Sequence, residues 1–85
     1  MSHLKHKRGI FDVMASLLEV LEDGPCNKTR MASRANLATR SSTRYINFVL
    51  RFNLVSKNDS NYFTITDKGR MFLEEYKKLM KLIGE

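Results

Sequence analysis

Three residues, Asn36-Leu37-Ala38, separate two stretches of helical character, and this break restricts the fold more than any other feature of the chain. Helices joined so closely must turn sharply, and a sharp turn needs a residue at ease in the left-handed conformation. Asn is one of the few that qualify. Leu37 is then expected to anchor the turn in the core. Before the break, Thr29 is the expected N-cap of a short helix over residues 30–35, with Met31, Ala32 and Ala35 facing inward. After it, a longer helix is expected over residues 39–52, with Asn53 in the C-terminal position that Gly usually fills.

The flanks extend this plan. Ile10, Val13, Met14, Leu17, Leu18 and Leu21 recur at helical spacing, and Gly24-Pro25 ends that helix. "PCNK" reads as a short extended link. Residues 54–57 and 62–65 are β-compatible and enclose "NDSN", a cluster of turn formers, as a hairpin would. Thr66 is the expected N-cap of a last helix running to residue 82, and Asp67 suits the positive end of its dipole. The fold class is therefore mainly α with a small β-hairpin, in the order helix, helix, turn, helix, hairpin, helix. A hairpin directly after the second helix of a helix-turn-helix is the winged-helix plan. Eighty-five residues are read as one small domain over 1–85, with 1–8 as a basic N-terminal arm.

Charge is distributed unevenly. The chain carries a net +6 and has a pI near 9.8, which points to a polyanionic partner. Residues 1–23 hold three Lys or Arg against four Asp or Glu, and residues 59–85 hold five against five. Residues 24–58 hold Lys28, Arg30, Arg34, Arg40, Arg44, Arg51 and Lys57 and no acid, so the whole excess comes from the middle of the chain.

The expected helix over 39–52 has two faces. Ser42, Tyr45, Ile46, Val49 and Leu50 share a core side, with Phe52 or Asn53 at its end. Arg40, Arg44, Asn47 and Arg51 follow i, i+4, i+7, i+11 as a polar stripe, with Ser41 and Thr43 beside it toward the helix start. These residue types suit duplex DNA: Arg forks onto guanine, Asn onto adenine, and hydroxyls reach bases or phosphates. In a helix-turn-helix the start of the second helix is the part that enters the major groove. Arg40, Ser41, Thr43, Arg44 and Asn47 are thus the expected base-reading residues. Lys28, Thr29, Arg30, Arg34, Arg51 and Lys57 are the expected backbone contacts, with the tip at 57–61 as a wing. The competing reading is a solvated helix face, which usually carries Glu and Lys; this stripe has neither.

Two segments, "GPCNKTRMASRANLATRSSTRYINFVLRFNLV" and "YFTITDKGRMFLEEYKKL", resemble the archaeal winged helix-turn-helix family that includes the 10a-type chromatin-associated DNA-binding proteins. The resemblance spans about residues 8–82. It implies a winged-helix domain, double-stranded DNA as partner, and a homodimer formed through the C-terminal helix. It places the recognition helix at 39–52 and the wing at 54–65. Asn53 replaces a Gly common in the family, and the last helix is too short for a long coiled coil. A shorter helix contact through Phe72, Tyr76, Leu79 and Ile83 is expected to form the dimer instead; alternatively this stripe packs on the first helix. Family members include both local regulators and abundant architectural proteins.

Other signals are weak. His3 and His6 are too few for a metal site, and Cys26 reads as a small buried thiol. No nucleotide-binding, hydrolase or zinc-protease motif is present, and no cofactor, small-molecule ligand or enzyme activity is expected. No apolar run approaches the roughly 18 residues of a membrane span, so the chain is expected in the cytoplasm, associated with the nucleoid. The expected function is a sequence-preferring DNA-binding protein that regulates transcription. The alternatives are an architectural DNA-binding protein with little sequence preference and a winged-helix module that binds protein. An RNA partner is disfavoured because no exposed aromatic stacking platform is evident in the sequence.

Overall fold

A computed structural model describes residues 9–84; the basic arm expected at 1–8, with His3 and His6, lies outside them. The first helix, α1 (Ile10–Glu22), forms on its apolar stripe: Val13, Met14, Leu17, Leu18 and Leu21 are buried. At its start the Asp12 carboxylate accepts a hydrogen bond from the Gly9 N–H at 3.0 Å. This returns one of the donors that every helix start leaves unsatisfied.

The "PCNK" link does more than extend. Cys26–Asn27 forms a strand, β1, which pairs antiparallel with Tyr62–Ile65. The expected hairpin is therefore a three-stranded sheet. With β2 at Val55–Lys57 and β3 at Tyr62–Ile65, its order is β1-β3-β2. Cys26 lies opposite Phe63 and Asn27 opposite Tyr62. Two residues are too few to show alternation in a sequence. The pairing follows from tertiary burial: Cys26 and Phe63 are both in the core. In the hairpin itself Val55 faces Ile65 and Ser56 faces Thr64, whose hydroxyls lie 3.1 Å apart. The connecting loop is closed by Asn58, whose side-chain oxygen accepts from the N–H groups of Ser60 and Tyr62 at 2.9 and 3.0 Å.

Because β1 ends at Asn27, the next helix starts one residue later. Its N-cap is Asn27, not Thr29: the Asn27 side chain accepts from the Arg30 N–H at 2.8 Å, and α2 spans Lys28–Arg34. Asn36 then takes φ 62°. The Leu37 N–H bonds to the Ala32 carbonyl at 2.9 Å and the Asn36 N–H to the Ser33 carbonyl at 3.0 Å, which is the double closure of a Schellman ending. The same arrangement ends α3 (Thr39–Arg51): Asn53 has φ 62°, Leu54 N–H bonds to Val49 O at 2.8 Å, and Asn53 N–H to Leu50 O at 3.0 Å. Both helices thus stop on an Asn-Leu pair, with the Asn left-handed and the Leu turned toward the core.

Thr66 joins this second stop to the last helix, α4 (Asp67–Leu82). Its hydroxyl accepts from the Gly69 N–H at 3.0 Å and donates to the Asn53 carbonyl at 2.6 Å, while its N–H donates to Leu54 O at 3.0 Å. Gly69 is required there, since a Cβ would stand 2.1 Å from the Leu54 carbonyl oxygen. α4 is also held to α1. Phe72 meets Phe11 edge to face at 5.9 Å, and the Tyr76 hydroxyl donates to the Asp12 carboxylate. The core between these elements contains Met14, Leu17, Leu18, Met31, Ile46, Val49, Phe63 and Leu73.

Candidate nucleic-acid interface

The core side of α3 is as expected in its centre. Ser42, Ile46 and Val49 are buried and Tyr45 and Leu50 half-buried. Buried side chains on one face fix the rotation of the helix about its axis, so the opposite face is presented as a unit. On that face Arg40, Ser41, Thr43, Arg44, Asn47 and Arg51 are all exposed. Among the described residues the ion pairs are Arg34–Asp23, Arg70–Asp67, Lys77–Glu22 and Lys78–Glu75. None involves Arg40, Arg44 or Arg51. The three guanidiniums keep their hydrogen-bonding forks for an outside acceptor.

The start of α3 has the same character. Its N-cap, Ala38, has no side-chain oxygen, and no acid lies in the first turn. The Ser41 hydroxyl donates back to the Ala38 carbonyl at 3.3 Å. The free N–H groups of this turn carry the partial positive charge of the helix dipole, with neither a side-chain cap at Ala38 nor an acid in the first turn to offset it. Thr29 of α2 lines a shallow hollow together with Ser33, Asn36 and Ala38, which brings the start of α2 beside the start of α3. Lys28, Thr29 and Arg30 form the first turn of α2 and are exposed.

Two expected backbone contacts have partners within the chain. Arg34 is turned toward α1, where its guanidinium meets Asp23 at 3.0 Å with both side chains half-exposed or more. Lys57, at the end of β2, carries its ammonium 5.9 Å from the centroid of the Phe63 ring. Neither partnership is a tight lock: an exposed ion pair is worth about 0–1 kcal/mol, and a cation–π contact from an exposed lysine about 0.5–1 kcal/mol.

α3 also differs from expectation on one flank. Phe52 or Asn53 is expected at the end of the core side, yet Phe52 is 44% exposed and Asn53 is exposed too. Phe52 caps the helix, and the turn at Asn53 carries the chain inward without it. Its ring lies parallel to that of Phe48 at 6.3 Å, and Tyr45 meets Phe48 at 6.4 Å on the other side. The helix therefore carries an aromatic row that was missed in the sequence, although the spacing of Tyr45, Phe48 and Phe52 at i, i+3, i+7 was there to read.

The stripe expected to form a dimer divides in two. Phe72 and Tyr76 are half-buried against α1 and the core, whereas Leu79 and Ile83 are 49% and 60% exposed. Leu82, beside them, is 81% exposed. Among the described residues no group of three His, Cys, Asp or Glu is placed to hold a metal ion, and no helix is long and apolar enough to cross a membrane. Cys26 is buried and free.

The chain is similar to known proteins in sequence and in fold. It is 28% identical over 80 residues to an uncharacterised protein of Methanocaldococcus jannaschii, MJ0287, with 94% of this chain and 81% of that one aligned. A second uncharacterised protein of the same archaeon, MJ0290, is 29% identical over 77 residues, which are 91% of this chain but 36% of the relative. Among solved structures, Lactococcus lactis ZitR superposes with a TM-score of 0.68 at 12% identity, over 85% of this chain and 50% of that one. The methyltransferase CalO1 of calicheamicin biosynthesis superposes at 0.60 and 21% identity, over 74% of this chain and 19% of its own. Such low identities show the fold alone. The winged helix-turn-helix family model matches residues 7–84. With nearly its whole length accounted for, the chain belongs to the winged helix-turn-helix family.

Proposed function

We propose that this protein binds double-stranded DNA with sequence preference and regulates transcription, with α3 in the major groove. The observation that carries this reading is the face of α3: Arg40, Arg44, Asn47 and Arg51 in one exposed row, flanked by Ser41 and Thr43, with no acid on it and no ion pair across it. Water solvates this face in the free chain, and guanine, adenine and phosphate match it chemically. Arg40, Ser41, Thr43, Arg44 and Asn47 read bases. Lys28, Thr29, Arg30, Arg51 and Lys57 hold the backbone, and Arg34 joins them by exchanging Asp23 for a phosphate.

The active form in this reading is a homodimer. Leu79, Leu82 and Ile83 form an apolar end of α4 without cover from the chain's own described residues, and a second copy is the simplest cover. Phe72 and Tyr76 support that contact from within each protomer by fixing α4 on α1.

The test is selection of bound sequences from a random duplex pool, followed by affinity measurements at two salt concentrations. A short enriched motif, repeated as an inverted pair, is the expected result. Equal affinity for selected and bulk DNA with a steep salt slope marks an architectural protein instead. No DNA retardation even at low salt leaves the protein-binding module.

A further inference from the structure

Phe48 has no role in the reading above, yet it borders the same hollow as the cations. A shallow groove on the outer side of α3 is lined by Arg44, Asn47, Phe48, Leu50 and Arg51. Polar forks thus share a surface with the edge of an aromatic ring. The ring is not loose: Tyr45 meets it at 6.4 Å on one side, and Phe52 lies parallel to it at 6.3 Å on the other. Held between neighbours one turn away in each direction, Phe48 presents a fixed apolar edge and loses little freedom on contact with a ligand. It is half-buried, and it borders the same groove as Arg44 and Arg51.

A ligand for this groove must be anionic nearby and apolar at one point. In the major groove of DNA one base meets that description. Thymine projects a C5-methyl group beside a hydrogen-bonding edge, and phenylalanine is among the side chains that contact it. We infer that Phe48 is a specificity-determining residue that selects thymine, its ring edge packing on the C5-methyl group while Arg44 or Asn47 engages an adjacent base. The inference rests on the placement of α3 in the major groove and names one base within that site.

The experiment replaces each thymine of a selected duplex in turn with deoxyuridine, which differs only by that methyl group, and measures affinity for the wild-type chain and for Phe48→Ala. For wild type, one position per half-site is expected to lose about fourfold, the worth of one buried methyl. For Phe48→Ala the same duplexes are expected to bind alike, with the loss already present for thymine. Where cytosine is tolerated at that position, 5-methylcytosine is expected to restore binding to the wild type. If wild type binds every deoxyuridine duplex as it binds the parent, the assignment of Phe48 is overturned whatever the variant does. Because that arm uses the unaltered protein, it stands even if Phe48→Ala fails to fold. Failure of the larger reading looks different: either no enriched duplex is obtained at all, or Arg44→Ala leaves affinity for the parent duplex unchanged.

Discussion

Single side chains decide how this small domain spends its polar groups. Arg44 and Asn47 are exposed and free of ion pairs among the described residues, so removing either disturbs the fold little. Arg44→Ala and Asn47→Ala are each expected to cost about 1–3 kcal/mol in binding to a selected duplex, and to relax preference at one base position. Competition against single-base variants of the duplex measures this. Lys28→Ala is expected to act otherwise, weakening all duplexes alike and reducing the slope of log affinity against log salt by about 1. Arg34→Ala is expected to do less than Lys28→Ala, because Arg34 must first leave Asp23. At Gly69 the issue is space. A methyl there meets the Leu54 carbonyl oxygen and the Ile65 side chain at 2.1 and 2.8 Å, and the carbonyl belongs to the bond that seats Thr66. Gly69→Ala is expected to destabilise by at least about 1–3 kcal/mol, the usual cost of overpacking, read as a lowered urea midpoint. Asn53→Gly is expected to keep or raise that midpoint, since Gly takes φ 62° without the strain a Cβ brings.

At the scale of elements, α4 is anchored at one end and uncovered at the other. Thr66 and Gly69 seat its start on the end of α3, and Tyr76 ties its middle to Asp12 of α1. Tyr76→Phe deletes that hydroxyl and is expected to cost about 1.5–3 kcal/mol of stability, the usual worth of a hydrogen bond to a charged group. Thermal or urea unfolding would show it. The helices were largely legible in the sequence because each carries its own local signals. α1 has its stripe and Gly24, α3 has two chemically opposite faces, and α4 has Thr66 followed by Asp67. What was not legible depends on partners distant in the chain. β1 is two residues long and exists only because Phe63 pairs with Cys26. Its ending at Asn27 moved the start of α2 and took the cap from Thr29. The polar stripe of α3 was readable from period alone. The split of Phe72, Tyr76, Leu79 and Ile83 was not, since one helical period runs through both the covered and the uncovered part.

For the molecule as a whole, the basic excess and the exposed apolar end of α4 belong to different parts of the chain. The acid-free segment, residues 24–58, contains β1, α2, α3 and β2, the elements of the helix-turn-helix and the first strand of its wing. The exposed Leu79, Leu82 and Ile83 lie at the end of α4. In the proposed reading, DNA contact and self-association therefore use different residues. Replacing Leu79 and Ile83 together by Lys is expected to give a folded monomer by sedimentation equilibrium, with its affinity for a full inverted repeat reduced toward that for a half-site. A two-fold pair of recognition helices would sit one turn of DNA apart, about 34–36 Å, or a multiple of it. The central claim is that the exposed face of α3 reads base sequence. It is tested most directly by comparing the wild-type chain with an Arg40→Ala/Arg44→Ala/Asn47→Ala variant in competition between a selected duplex and bulk DNA at fixed salt. Wild type is expected to prefer the selected duplex by about 10³-fold or more, and the triple variant, with its fold intact by circular dichroism, to lose that preference. A triple variant that discriminates as the wild type does would contradict the account.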